Sequence, residues 1–339
     1  MKKNNLLDKA RNWFLKFVQV QLLLSLISLP ILTNWGFPIS LLSPVGNIAF
    51  TPIFMAFLLL STMIFFSELL HIPNNFLIYL LEKTTTKWLY LLPTGKSIFI
   101  VGFTKPPIIF SIIVPIATFA IIRNKKINSI KKRILCLALL FIFSCTYLKI
   151  INKPAKFIKN IECCGGNLTL IYDKGKTVLI DPGFIGRKIS ADSWVEYTLS
   201  TEITKSCGST SIDHLILLQP GKSLFEAAKK ICETFQVKNI YLPYWQGDMK
   251  KNVLRSYYKM KLAAESSNAC LKRLRDKKIE TIFLTDSTNI TIKPLDQKLV
   301  YNKAKFAAIC ITCDFDKQEI KIYSAKSKLG KIKSLKGSL

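Results

Sequence analysis

Histidine and acidic residues are scarce in this sequence. Two of its 339 residues are His, and 21 Asp and Glu stand against 49 Lys and Arg, which gives a net charge of +28. A catalytic or metal centre built on several histidines is therefore excluded, since only His71 and His214 carry an imidazole. The cation excess has two interpretations: a lysine-rich composition that contacts anionic lipid headgroups, or a polyanionic partner such as nucleic acid.

Acids are almost absent from residues 1–150. This half contains Asp8, Glu68 and Glu82 against 16 Lys and Arg, and it holds nearly all of the long apolar runs. A membrane-spanning helix needs roughly 20 apolar residues. We predict a membrane domain over residues 1–152 with four or five transmembrane helices, four of which follow the runs Phe17–Leu32, Val45–Phe66, Pro107–Ile122 and Ile134–Leu148.

The number of spans and their orientation depend on the segment 74–92. Its apolar ends and polar centre indicate an interfacial helix, and a bent pair of half-spans is the alternative. The basic loop Arg123–Arg133 is predicted to be cytoplasmic, which puts the C-terminal half on the extracytoplasmic side. The N-terminus is basic as well, and both can face the cytoplasm only if residues 74–105 also cross the membrane.

Residues 153–325 have the patterning of a soluble α/β domain. The stretch 212-IDHLILLQPGKSLFEAAKK-230 predicts a buried strand, a tight loop and an amphipathic helix, and a second helix is predicted over Tyr257–Arg275. Together with the hairpin turn 173-DKGK-176 these elements predict two sheets sandwiched between helices. Residues 326–339 form a basic tail that is predicted to be disordered and to bind anionic lipid or nucleic acid.

The nine cysteines have irregular spacing, which excludes a disulfide framework. Cys310 and Cys313 have the spacing of a redox or zinc half-site. They lie in the apolar, alternating run 306-FAAICITCDF-315, however, and this pattern predicts buried strand thiols.

The soluble half resembles a metallo-β-lactamase-type domain. Its opening segment, 161-IECCGGNLTLIYDKGKTVLIDPGFIG-186, has the Gly-Gly pair, the hairpin and the Asp-Pro-Gly turn of that fold, at Gly165, Gly166, Asp181 and Gly183. The stretch 212–230 and the following 236-QVKNIYLP-243 are similar to the next strand, loop, helix and strand of that fold. The resemblance implies the layer order αββα.

The membrane half resembles the competence region of ComEC-type DNA-uptake channels, which are multi-pass proteins of the bacterial inner membrane. In that family a similar set of spans precedes a lactamase-like domain, and the resemblance implies that the matching residues line a path for single-stranded DNA: Pro30, Phe37, Ser43, Asn47 and Pro52. An OB-like domain and further spans precede this region in the family. We therefore expect a truncated channel whose other half is missing or separately encoded.

One stretch of this path has two interpretations. The run 43-SPVGNIAFTP-52 contains Pro, Gly and Asn within five residues, which indicates a re-entrant or discontinuous helix. The alternative is the ordinary start of an interfacial helix.

The sequence departs from the family at its metal-binding loop. The family has a His-x-(Asp/His)-x-Asp-His loop where this chain has 219-QPGKSL-224, so the ligand positions hold Gln219, Gly221, Ser223 and Leu224. Zinc or manganese needs three or four His, Asp or Cys donors. We therefore expect no metal, no cofactor and no metal-dependent nuclease step, and we expect Asp181 to be a turn residue. Ser223 and Glu226 predict a capping box for the helix.

A second candidate site combines aromatic and basic residues. Tyr244 and Trp245 could stack on bases beside Lys250 and Lys251, and a packed aromatic cluster is the alternative.

The sequence therefore predicts a non-enzymatic membrane component that passes or guides single-stranded DNA. The first alternative is a membrane scaffold that assembles with a separately encoded channel half or as a homo-oligomer. The second is an enzyme with an unrecognised site around Asp181, Cys207 and His214. The third is a decaying gene without function.

Overall fold

The computed structural model describes residues 4–41, 43–91, 100–125, 127, 129–163, 166–181, 183–186, 189–274, 279–285, 288–301, 304–315 and 318–323. The chain forms two compact units, Met1–Asn152 and Lys153–Leu339. The predicted basic tail, residues 326–339, and Gly165 lie outside the described residues.

The N-terminal unit is helical. It contains five helices and one short pair of antiparallel strands in its described part: α1 (Asn4–Trp35), β1 (Ile39–Ser40), α2 (Ser43–Leu69), α3 (Asn75–Leu91), β2 (Ile100–Val101), α4 (Ile108–Arg123) and α5 (Ile130–Ile150). Helices α1, α4 and α5 share a core that includes Leu26, Val114 and Leu137. Helix α3 packs on α2, where the Trp88 ring meets two phenylalanine rings at 5.7 and 5.6 Å.

Three of the described helices are long and apolar enough to cross a membrane, over Asp8–Trp35, Pro44–Leu69 and Ile130–Ile150. The predicted span at 107–122 forms α4, which has 16 residues and is shorter than the roughly 20 needed. Residues 75–91 form one uninterrupted helix of 17 residues. We predicted four or five spans. Among the described residues, three apolar helices are long enough to span a membrane and one apolar helix is shorter.

Prolines do not interrupt these helices. Helix α2 begins at Ser43 and continues through Asn47 and Pro52, so the predicted discontinuous helix is wrong. A proline removes one backbone donor and leaves carbonyls of the preceding turn exposed. Pro30 in α1 has no N–H for the Leu26 carbonyl, and in the following turn the Thr33 hydroxyl donates to Leu29 O at 2.8 Å.

The C-terminal unit is α/β. Its described elements are β3 (Phe157–Cys163), β4 (Gly166–Asp173), β5 (Lys176–Asp181), α6 (Ala191–Ser193), a π-helical turn (Trp194–Leu199), α7 (Ser200–Cys207), β6 (Ser211–Leu217), α8 (Lys222–Thr234), β7 (Gln236–Pro243), β8 (Trp245–Gln246), α9 (Lys251–Ser266), β9 (Cys270–Leu274), β10 (Glu280–Thr285), β11 (Thr288–Tyr301), β12 (Ala304–Phe315) and β13 (Gln318–Tyr323).

Two sheets are stacked in this unit. The first has the order β3-β4-β5-β6-β7-β9, in which β5, β6, β7 and β9 are parallel. The second has the antiparallel order β10-β11-β12-β13, and β8 joins it by pairing with β12. Parallel neighbours need a crossover, and α8 and α9 supply the crossovers after β6 and β7.

Two separate cores explain the layers. One lies between the first sheet and the helices and includes Leu179, Leu215 and Phe225. The other lies between the two sheets and includes Ile216 and Ile290. The described layers are helices, first sheet and second sheet, and the outer helix layer of the predicted αββα order is not among the described residues. The outward residues Thr281, Thr291 and Thr312 form a polar row in register across β10, β11 and β12, and an antiparallel sheet can expose such a face to water.

The predicted helix over 257–275 is wrong in its bounds. Helix α9 starts six residues earlier, at Lys251, and ends at Ser266, and residues 270–274 form the edge strand β9. The helix ends before Asn268, whose φ of 57° is left-handed. Asparagine tolerates this conformation and commonly follows a helix end.

Candidate functional site

The carboxyl ends of β5 and β6 bring together most of the predicted loop residues. The two strands are parallel, with Asp181 in register with Leu217. Asp181 is fully buried, and its Oδ1 accepts the Gly183 N–H at 2.7 Å. Its carbonyl accepts the Leu218 N–H at 3.1 Å. Asp181 thus holds the turn after β5 and ties it to the loop after β6.

Gly183 and Gln219 form another contact between these loops. Gly183 has φ of 96°, and a Cβ atom built on it would overlap the Gln219 carboxamide. A side chain at position 183 is therefore disfavoured both by backbone conformation and by space. Gln219, at the first of the predicted ligand positions, packs on the neighbouring loop.

The start of α8 corrects one prediction. The N-cap is Gly221 and it has no side-chain cap, so the predicted capping box of Ser223 and Glu226 is wrong. Glu226 Oε1 instead accepts from Ser256 Oγ at 3.2 Å, which is a contact between α8 and α9. Ser223 lies against the backbone of Gly186, since a Cβ there would be 3.3 Å from the serine Cβ.

These residues do not fit a metal ion of the kind that the lactamase-like resemblance implies. Gln219 offers a neutral carboxamide, Gly221 has no side chain, and Leu224 is buried in the core on the helix side. No group of three or more His, Cys, Asp or Glu that could hold a metal occurs in the described part of the chain. The donors that zinc or manganese requires are not gathered here.

Of the two glycines in the opening motif, the structure describes Gly166. A Cβ on Gly166 would overlap the ring of Phe184, so the glycine allows that ring to approach the start of β4. Phe184 packs against the helix-side core. The glycine therefore has a packing role at the edge of the same loop cluster.

The proposed catalytic set of Asp181, Cys207 and His214 is not brought together. Cys207 belongs to the core on the helix side, where burial raises the pKa of its thiol to about 12. His214 faces the other sheet, with its Nδ1 3.4 Å from Tyr241 Oη. It is in register with Val178, three residues before Asp181, which is roughly 10 Å along a strand.

Trp245 belongs to a packed cluster of rings, and we call this cluster, together with the neighbouring residue Tyr244, the corner. Trp245 in β8 lies 5.2 Å from the Tyr257 ring in an edge-on arrangement and 6.3 Å from the buried Phe225 ring. The Arg273 guanidinium lies 4.9 Å from the Trp245 centroid, and its Nη2 donates to Tyr257 Oη at 2.6 Å. Trp245 is half-buried in these contacts, whereas Tyr244 is 38% exposed.

Cations continue from the corner into α9 without matching acids. Lys250 and Lys251 are exposed, and neither pairs with a carboxylate of the described residues. The first acid within α9 is Glu265, close to its end. On α8, in contrast, the basic residues have acidic partners at 3.1–3.8 Å: Lys222–Glu226, Lys229–Glu233 and Lys230–Glu196.

The five predicted path residues lie in the N-terminal unit and differ in environment. Pro30 is buried in α1, whereas Asn47 and Pro52 are exposed on α2. Phe37 is 39% exposed and lies 6.2 Å from the Trp35 ring, and the structure describes only the backbone of Ser43. Their role along a path stays a prediction.

Sequence reasoning missed Tyr257 and Arg273 as members of the corner. The predicted helix over 257–275 placed both on one element, whereas the structure has them on α9 and β9. The signal that could have separated them is 266-SSN-268, because Ser and Asn favour helix ends.

Comparisons with known proteins find no sequence match and a low structural similarity. No protein-family model matches the chain, and no curated protein matches its sequence. The metal-soaked flavodiiron core of Flv1 from Synechocystis sp. PCC6803 is similar at a TM-score of 0.29 and 15% identity, over 47% of this chain and 40% of that one. The metallo-β-lactamase GOB-18 from Elizabethkingia meningoseptica is similar at the same TM-score and identity, over 54% of this chain and 67% of that one.

One of these two similar structures is a metallo-β-lactamase, and the sequence of the soluble half resembles that class of domain. At a TM-score of 0.29 this similarity carries no argument about what the chain does. The chain spans less than half of the flavodiiron core. The α/β character of the unit follows from its own strand order and layers.

Proposed function

We propose that the chain is a membrane component that guides single-stranded DNA, with the corner of its α/β unit as the contact for the strand. In this proposal it resembles a ComEC-type channel and acts without a metal-dependent nuclease step. Three helices of spanning length support a membrane location. The identities of Gln219, Gly221, Ser223 and Leu224 support the lack of a nuclease step, because they do not fit a metal.

The observation that carries the proposal is the composition of the corner. Proteins that bind single strands without sequence preference combine cations, which track the phosphates, with aromatic rings on which bases stack. Tyr244 exposes an aromatic ring, and Lys250 and Lys251 add two cations without acidic partners among the described residues. Arg273 is an exposed residue whose guanidinium lies over Trp245, and such a cation can contact phosphate.

The test is equilibrium binding of the full chain, in nanodiscs of neutral lipid, to a fluorescent single-stranded oligonucleotide. We expect micromolar affinity at low salt and weaker binding to the matching duplex, whose bases are not free to stack. Tyr244→Ala should weaken binding by about tenfold, since stacking contributes about 1–3 kcal/mol per base.

The matched control is Tyr197→Ala. Tyr197 is 66% exposed but lies beside Glu196, so its removal should leave the affinity unchanged. No binding at about 50 mM salt, where phosphate contacts are strong, would reject the DNA role of this unit.

A second candidate is the non-catalytic membrane scaffold that assembles with a separately encoded channel half. The observation in its favour is that none of the spanning window of α2 is buried within the unit, against 22% for α1. Co-purification of the full chain with a second membrane protein that depends on α2 would favour this candidate over DNA guidance.

A further inference from the structure

Beyond the corner, helix α9 carries an outward ridge with a distinct composition. The ridge comprises Arg255, Tyr258, Lys259 and Leu262, which recur at intervals of three or four residues and so share one face of the helix. Tyr258 is 60% exposed and Leu262 is 65% exposed. The opposite face, with Val253, Met260 and other residues, is buried in the core.

The ridge combines exposed cations with exposed aromatic and aliphatic side chains. Arg255 and Lys259 have no acidic partner among the described residues, and the two exposed apolar side chains lie on the same line. The nearby pair Lys261–Glu265, at 3.6 Å, flanks the ridge and balances its own charge. Exposed cations beside Tyr and Leu on one helix are typical of a surface that lies on anionic lipid.

The shape of the ridge favours a lipid surface over a nucleic-acid strand. Helix α9 covers the outer side of the helix-side core, so the ridge is convex. Single strands are bound in grooves that follow their backbone, whereas a bilayer surface accepts a convex helix whose aromatic and aliphatic side chains enter the headgroup region. The chain also carries three helices long enough to cross a membrane, so a bilayer is a partner within its reach.

We propose that the ridge of Arg255, Tyr258, Lys259 and Leu262 docks the α/β unit on an anionic lipid surface. The cations contact the headgroups, and Tyr258 and Leu262 enter the interfacial layer. This docking does not depend on the DNA role proposed for the corner.

The test is photo-crosslinking of the full chain in nanodiscs of phosphatidylcholine, with and without phosphatidylglycerol. Tyr258 is replaced by the photoreactive amino acid benzoylphenylalanine, and lipid adducts are measured by mass spectrometry. We expect a lipid adduct that is several-fold stronger in the anionic nanodiscs. Arg255→Gln and Lys259→Gln should each lower the yield by about fivefold, the effect of one cation at an anionic surface.

The control places the same photoreactive residue at Tyr197, which is 66% exposed but lies next to Glu196. This position should give no lipid adduct. Equal adducts at both positions, no adduct at 258, or a yield that ignores the Arg255 and Lys259 variants would overturn the proposal. If a single-stranded oligonucleotide added to the nanodiscs is crosslinked at position 258 in place of lipid, the ridge is a nucleic-acid surface and the proposal is wrong.

Discussion

The backbone of Gly183 lies so close to the side chain of Gln219 that a single methyl group on the glycine would overlap the carboxamide. Position 219 is where the resemblance to metallo-β-lactamases places the first metal ligand. The contact joins the loops after β5 and β6, and it uses the Gln219 side chain for packing between them. At the carboxyl ends of β5 and β6, the two loops thus pack directly against each other.

Gly183→Ala should destabilise the α/β unit for two reasons. The φ of 96° is strained for alanine, which costs about 1–3 kcal/mol, and the overlap with Gln219 adds to this cost. Gly175→Ala is the matched control, because Gly175 has a similar φ of 88° with no atom within 4 Å of its Cβ position. Scanning calorimetry of the full chain in detergent should show a larger fall in Tm for Gly183→Ala.

Gln219→Ala tests whether the overlap with Gln219 causes the larger fall in Tm of Gly183→Ala. Combined with Gly183→Ala it should remove the overlap, so that the double variant approaches the Tm of Gly175→Ala. A double variant as unstable as Gly183→Ala alone would show that the carboxamide contact is unimportant.

The sequence predicted the strands around this junction because their signals are local. Residues 168–172 and 177–180 alternate or run apolar beside the turn 173-DKGK-176, and they form the paired strands β4 and β5. The capping box failed although its sequence pattern was present. Glu226 bonds to Ser256 on another helix, and a contact between elements distant in sequence is not visible in a local pattern.

The corner also depends on a contact between residues that are distant in sequence. Trp245 and Tyr244 were visible as an aromatic pair, but the guanidinium that lies on Trp245 comes from Arg273, 28 positions later on a strand. The layer order αββα was predicted from the order of strands and helices and from the resemblance, and neither of these states which face of a sheet a helix covers. The polar row of Thr281, Thr291 and Thr312 depends on register across three strands, which the sequence does not state.

Asp213 should be far more important for stability than its partner Lys238. The Asp213 carboxylate is buried, accepts the Thr177 N–H at 2.8 Å and contacts Lys238 Nζ at 2.6 Å. Asp213→Ala leaves a buried N–H without an acceptor, which costs about 1–3 kcal/mol. Lys238→Ala should cost at most about 0.5 kcal/mol, because the Lys238 side chain is 68% exposed and solvent screens the pair. Equal falls in Tm for the two variants would contradict this assignment.

His214 should make the stability of the α/β unit depend on pH. Burial lowers the pKa of His214 below its usual value of about 6.5, and Lys272, Lys176 and Lys238 lower it further against the opposing effect of Asp213. The folded state therefore favours the neutral ring. This contribution is fully present above about pH 6.5 and is lost as the pH falls below it, because the unfolded chain then binds the proton more readily.

The check is the Tm of the full chain between pH 8 and pH 5. His214→Gln should reduce the fall in Tm at acidic pH. His71→Gln, which changes the only other histidine, should leave the dependence of Tm on pH unchanged. If the dependence of Tm on pH is identical with and without His214, this ring does not contribute to the pH dependence of stability.

The most direct test of the account is the salt dependence of single-stranded DNA binding by the full chain. Each phosphate contact on a single strand contributes about −0.7 to the slope of log K against log salt concentration. Changing Lys250 and Lys251 together to Gln should reduce the slope by about 1.4 in magnitude. The control changes Lys222 and Lys229 to Gln, which removes the same charge from cations that pair with Glu226 and Glu233, and should leave the slope unchanged. A slope that is equal in both variants would contradict the corner as the site where this chain holds DNA.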